Sequence, residues 1–282
     1  MQFLLETEEG MCRAPSQSIL LRGLEYLDWL NQGTETGRNT GRNNRIVSTR
    51  HAFIDITALT EASTEKYQQW RAERICPMGS LEFVHRFYKI VYDIELKPIN
   101  IPTQLCIPKF LNRPYCVIDT AKNQSVQDIF GEQAIYLKSR ESIRHIFNGR
   151  YPTCKDVRAI ADLTPLTDGG FQATGELDFV SEWRCFILEG KLHQTRCYQG
   201  DEWTLPSKDI IGDMIEAYTD CPPAYTLDVG VDRDGKTSII ECHDFYSVGL
   251  YGYEDYVLLP FMYWRSHVAR IQNRKEKTNG IG

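Results

Sequence analysis

The chain has 282 residues, 42% hydrophobic and 25% charged, with a net charge of -6 and a pI near 5.6. That balance excludes a disordered polymer and a general nucleic-acid binder, whose affinity would rest on a basic surface. Nine cysteines without a CxxC pair exclude a zinc ribbon and a disulfide framework, and no apolar run reaches the ~18 residues of a bilayer span, so a soluble, cytoplasmic chain with reduced thiols and no membrane partner is expected.

In chain order, residues 16–31 carry Ile19, Leu20, Leu24, Leu27 and Leu30 at helical spacing behind Ser16 or Ser18, which predicts a core-facing helix. Residues 33–45, rich in Gly, Asn, Thr and Arg, read as an exposed loop. Residues 52–57 read as a strand, 61–74 as a polar helix, 75–79 as a turn and 80–91 as a second helix. Prolines 98, 102 and 108 make 99–108 an extended connector, and a domain boundary is placed near residue 100. Residues 115–119 and 134–138 read as strands, 139–147 as a short helix, 157–166 as an apolar strand ending in a hinge, and 167–175 as a glycine-bearing loop.

Two hairpins follow. Residues 182–188 and 192–198 flank Glu189, Gly190 and Lys191. A two-residue Glu-Gly turn puts Arg184 and Arg196 on opposite faces; a three-residue loop of 188–190 sets Glu182 opposite Arg196 with Arg184 on the same face. The second register yields a face suited to an anion or to a structural ion pair. Pro206 and Ser207 then open an amphipathic helix through Ile210, Ile211, Met214, Ile215 and Tyr218.

Residues 225–231 and 237–243 form the second hairpin. If Asp234 and Gly235 make a two-residue turn, Asp228 faces Glu241; a four-residue loop of 232–235 makes the two carboxylates diagonal neighbours on the same face. Leu227, Val229, Val231, Ile240 and Cys242 then form the core face. Like charges side by side call for a cation, and magnesium suits an oxygen-rich pair; the alternative is a solvated hairpin that holds no ion. A final apolar helix is expected from Tyr253, with Pro260 in its first turns or kinking it, and the basic stretch 273–282 reads as a loose tail.

Four strings, taken in order, carry a resemblance: residues 77–84 (PMGSLEFV), 181–186 (SEWRCF) with 189–191 (EGK), 226–230 (TLDVG), and 241–244 (ECHD) through 250–252 (LYG). They resemble the ATP-grasp superfamily, and within it the clade that uses arginines beside lysine at the nucleotide site, often found in phage or bacteria. The resemblance implies an α/β (α+β) fold with a pre-grasp domain over 1–100 and, over 101–272, two small α+β subdomains clasping ATP. It implies that Asp228 and Glu241 hold Mg2+ bridging the ATP phosphates. The family's usual asparagine two residues later is His243 here, which would admit Mn2+, act through water or line the site; Asp244 would replace it only if the strand bulges.

The resemblance further implies that Arg184 and Arg196 face phosphate or an acyl phosphate, with Glu182 beside them; the competing reading of Glu182 is a cross-strand ion pair with Arg196. It makes Lys122 the phosphate-binding lysine and sets adenine against the backbone of Asp162, Leu163 and Thr164. Where relatives carry Lys-Asp-x-x-Lys, this chain has Ile118-Asp119-Thr120-Ala121-Lys122, and Lys138 and Lys109 are candidate substitutes that otherwise read as surface lysines. His193 and His85 are weighed as bases and read as structural or surface residues. The implied activity is carboxylate-amine ligation, with an amino acid, peptide or protein terminus as acceptor. An inactive nucleotide-binding module and a metal-dependent hydrolase on Asp228, Glu241 and His243 are the alternatives.

Overall fold

The computed structural model describes residues 1–12, 15–35, 48–118, 126–141, 149–153 and 170–279. Its contacts group into two compact units, Met1–Leu96 with Pro222–Ala224 and Asp244–Gly282, and Lys97–Cys221 with Tyr225–His243. The stretches read as a loop at 33–45, a short helix at 139–147 and a strand at 157–166 lie mostly or wholly outside the described residues.

The first unit is built on strand β1 (Gln2–Glu8), which pairs in parallel with β3 (Arg50–Asp55) and β4 (Cys76–Met78) and antiparallel with β2 (Met11–Cys12). Phe3, Leu4 and Leu5 are all buried, as a parallel strand covered on both faces requires. The turn expected at 75–79 is instead the buried strand β4. Pro77 fits there because β4 pairs with β1 alone and leaves its other side without a ladder.

Helix α1 (Pro15–Glu35) provides the crossover from β1 towards β3. Helices α2 (Ile56–Glu61), α3 (Thr64–Ala72) and α4 (Leu81–Phe87) start on caps from Asp55, Ser63 and Ser80. Helix α4 continues as a π-helical turn, Tyr88–Tyr92, that ends at Asp93 in the left-handed region. After α5 (Pro108–Leu111), α6 (Val126–Phe130) and α7 (Lys208–Ala217), the last helix, α8 (Leu259–Asn279), carries Pro260 in its first turn and continues into the stretch read as a tail.

A buried network ties α8 to α4 and its π turn. Arg270 Nη2 donates to Asp244 Oδ1 at 2.5 Å, and its guanidinium lies 5.0 and 5.1 Å from the rings of Tyr88 and Tyr246. His267 Nε2 donates to the Arg74 carbonyl at 3.1 Å, so Nδ1, 2.7 Å from the Tyr88 hydroxyl, is the acceptor and the ring is neutral. Burial, followed by the nearby Arg270 charge, pulls the His267 pKa down to about 3.

The unfolded chain takes up this proton near pH 6.5 and the folded chain does not. Stability is therefore expected to be whole above pH 6.5 and to fall by about 1.4 kcal/mol per pH unit as pH drops towards 3. Urea melts between pH 4 and 8 should show this acid limb flattened in His267→Gln. Equal slopes in variant and wild type would refute the assignment.

The second unit holds two four-stranded sheets. One has the order β5 (Tyr115–Ile118), β8 (Phe171–Gly175), β6 (Ile135–Ser139), β7 (Gly149–Tyr151), with every neighbour antiparallel. The loop expected at 167–175 thus becomes an inner strand from Phe171 on, since its glycines sit at the strand's edges while Phe171 and Ala173 enter the core. The other sheet has the order β10 (Lys191–Gly200), β9 (Phe179–Leu188), β11 (Ala224–Asp232), β12 (Thr237–Asp244). Helix α7, capped by Ser207, buries Ile211 and Met214 in the core that also holds Leu227, Val229 and Val231. Among the described residues, no helix is long and apolar enough to cross a membrane.

Candidate active site

The arginine hairpin turns through Glu189 and Gly190, both at positive φ (49° and 71°), the signature of a two-residue type I′ turn. Continued without interruption, that turn would separate Arg184 from Arg196. A register shift between Leu192 and Gln194 intervenes, and Arg196 ends up directly opposite Arg184, on its face. A second shift sets Glu182 opposite Gln199 rather than Arg196.

The carboxylate hairpin uses neither of the turns considered from sequence. Asp232 N donates to Lys236 O at 3.1 Å and Gly235 N to Asp232 O at 3.0 Å, which leaves a three-residue loop with Gly235 at φ 76°. Asp232 Oδ1 accepts from the backbone N–H of both Asp234 and Lys236 and holds the loop. Counting from this odd-length loop, Asp228 would face Ile240. The alternation breaks again: Ile239 and Cys242, three residues apart, are both fully buried in one core, while Ile240 and Glu241 between them line a cavity. This irregularity returns Glu241 to the side of Asp228 and takes Ile240 out of the core where the sequence had placed it.

The side chains converge tightly. Arg184 grips Asp228 with a fork, Nε to Oδ1 at 2.8 Å and Nη2 to Oδ2 at 2.6 Å, and both residues are buried. Glu241 lies between two cationic groups, with Lys138 Nζ 2.5 Å from Oε2 and His243 Nε2 2.6 Å from Oε1. Burial opposes ionisation of Glu241, yet His243 and Lys138 together hold its carboxyl well below the usual carboxylate range. Burial likewise disfavours the His243 imidazolium, but hydrogen bonds to Asp228 and Glu241 outweigh it and raise the pKa. Burial, then the charges of Asp228 and Glu182, push the Tyr198 phenol up; its ring centre is 6.0 Å from the Arg184 guanidinium carbon.

One ligand atom each from Asp228, Glu241 and His243 falls within 4.8 Å of the others. Two carboxylates and an imidazole form a donor set that fits a divalent cation, the oxygens favouring magnesium and the nitrogen manganese. Beside it is a cavity of about 410 Å³ whose wall includes Lys138, Glu182, Glu241, Ile240, Gln172 and Arg113. Asp244 has no place in the site, because Arg270 and Ser266 hold its carboxylate in the first unit. Lys122, Asp162, Leu163 and Thr164 lie outside the described residues.

Lys109 forms an exposed ion pair with Asp213, His193 is exposed at the hairpin's register shift, and His85 packs edge-on against Tyr246. Lys138 reads as a surface lysine from sequence, yet it enters the site. The available signal was its alternation with Ile135 and Leu137, which places it on the face of β6 away from that core. Arg113, in the cavity wall, carried no sequence signal; burial lowers its pKa to about 10.

Two helix-bearing four-stranded sheets in one unit, with paired carboxylates on the last hairpin, define an ATP-grasp α+β architecture. Residues 117–258, half of the chain, match the family model for an ATP-grasp domain of the second family in the arginine-and-lysine clade, and the chain belongs to that family. Among solved structures it is similar to a D-cycloserine synthetase, DcsG, with TM-score 0.53 and 11% identity over 97% of this chain and 99% of that one. It is also similar to N5-carboxyaminoimidazole synthetase from Staphylococcus aureus, with TM-score 0.50 and 11% identity over 96% of this chain and 76% of that one. These likenesses show the fold alone. No curated protein sequence matches the chain.

Proposed function

We propose that the chain is a cytoplasmic, ATP-dependent carboxylate-amine ligase working through an acyl phosphate. The carrying observation is that the Arg184–Asp228 fork and the Lys138–Glu241–His243 cluster converge beside one cavity of nucleotide-compatible size. A substrate carboxylate oxygen attacks the γ-phosphorus of ATP and ADP leaves. An amine nitrogen then attacks the acyl carbon, phosphate leaves, and the nitrogen loses a proton to give the amide. The acceptor is an amino acid, a peptide or a protein terminus.

In this reading Asp228, Glu241 and His243 hold Mg2+ or Mn2+, which when bound screens the phosphate charge. Arg184 and Arg196 stand on one face of their hairpin and would orient the transferred phosphoryl group by paired hydrogen bonds. Lys138 joins Lys122 as a phosphate contact, Glu182 borders the nucleotide, and the backbone of Asp162, Leu163 and Thr164 meets adenine. Such chemistry asks the protein mainly for positioning and charge stabilisation. Residues 1–100 would serve as the pre-grasp domain and 101–272 as the ATP-grasp domain.

A second reading has its own observation. Both oxygens of Asp228 and both of Glu241 already accept from side chains of this chain, a self-satisfied arrangement that suits a nucleotide-binding module without turnover. Incubation with ATP, Mg2+ and a mixed pool of carboxylates and amines separates the two. The ligase releases ADP and phosphate only when both pools are present and forms a condensed product visible by mass spectrometry. Calorimetric ATP binding without ADP release would establish the module instead, and no ATP binding at millimolar concentration would refute both.

A further inference from the structure

The first unit contains a cavity of about 380 Å³, lined by Arg71, Arg74, Arg274, Tyr92, Ile94 and Ile271 among others. Three guanidinium groups in one wall repel one another unless anions offset them. Arg274 has such an offset in Asp93, at 2.7 Å. Arg71 uses Nε to hold the Val91 carbonyl at 2.6 Å, which fixes the root of its guanidinium and leaves the terminal amino groups without a partner among the described residues. The Arg74 guanidinium likewise has no hydrogen bond or ion pair there. Glu73, between them in sequence, is turned to Gln69 at 2.8 Å and is absent from the wall.

The backbone beneath these arginines is held firmly. The Arg74 carbonyl accepts from buried His267, and the Tyr92 hydroxyl donates to the Ile75 carbonyl at 2.9 Å. Ile94, Ile271 and the Tyr92 ring supply an apolar surface in the same cavity. Positive charge without a committed counterion, beside apolar wall in a volume suited to a small molecule, is a recognition surface for an amphiphilic anion.

We propose that this cavity binds a phosphate monoester carried on a small apolar or aromatic body, independently of the nucleotide site. The dianion meets Arg71 and Arg74, and the body lies against Ile94, Ile271 and Tyr92. Phenyl phosphate is the probe, titrated calorimetrically into the full chain at low salt with inorganic phosphate as its comparison. Submillimolar binding of phenyl phosphate is expected, at least tenfold tighter than that of inorganic phosphate.

Arg74→Gln is expected to weaken phenyl phosphate binding at least tenfold with an unchanged melting temperature, since the guanidinium it removes has no described partner. Ile94→Glu, which puts a carboxylate into the cavity, is expected to abolish it. Binding that survives both variants would place the probe elsewhere and overturn the proposal, as would absence of binding up to 10 mM or equal affinity for the two phosphates.

Discussion

Arg184→Ala is expected to destabilise the protein by about 3–5 kcal/mol, the range for removing one partner of a buried ion pair. Asp228 is 2% exposed and receives both arms of the fork; without them its nearest cationic group is His243, 3.6 Å away. Arg184→Lys keeps the charge but replaces two fixed donors by a point charge and should fall between wild type and alanine. The pair Arg184→Met with Asp228→Leu removes both charges together and should recover most of the stability while leaving the enzyme inactive. Urea denaturation measures the first effect and ADP release the second. A loss below 1 kcal/mol in Arg184→Ala would mean that the carboxylate is not held in a dry environment.

Glu241→Gln is expected to lower kcat for ADP release by at least about 10³-fold, equivalent to about 4 kcal/mol of transition-state stabilisation. The amide is isosteric and can still accept from Lys138, so the fold should persist. What disappears is the negative charge that offsets Lys138 and His243 and that a divalent cation would need. Metal-free ATP binding should be retained or strengthened in this variant, because the site becomes more positive, whereas the increment added by Mg2+ should vanish. Turnover within threefold of wild type would remove Glu241 from the proposed machinery.

The sequence carried the chemistry of the two hairpins better than their geometry. Asp228 and Glu241 were recognisable because two acids recurred near an Asp-Gly turn, and their proximity held although neither considered turn forms. Their adjacency arises from two irregularities acting together, an odd three-residue loop and a break between Ile239 and Cys242. Periodicity of two cannot see a compensated slip, which is why Ile240 was assigned to the wrong face. Arg184 and Arg196 present the same lesson, brought together by a displaced residue at His193. Strand β8 was hidden because glycines flank it and it is stabilised by neighbours on both sides, not by its own propensity. Lys138 could not be identified alone, since its role depends on a partner 103 residues away.

The two units are not finished in chain order. Strand β1 is the first element made and α8 the last, yet the Phe3 ring lies 6.1 Å from that of Trp264, and the Cys76 thiol reaches the Tyr263 carbonyl. The second unit has all its residues once 243 is reached. During synthesis it can therefore close while the first unit still lacks its final helix. At ~5–20 residues per second, the apolar run Phe3–Leu4–Leu5 waits for roughly tens of seconds before α8 exists to complete its core. Through that interval it is an unshielded strand among other nascent chains, and chaperone capacity becomes part of how much of this protein a cell accumulates.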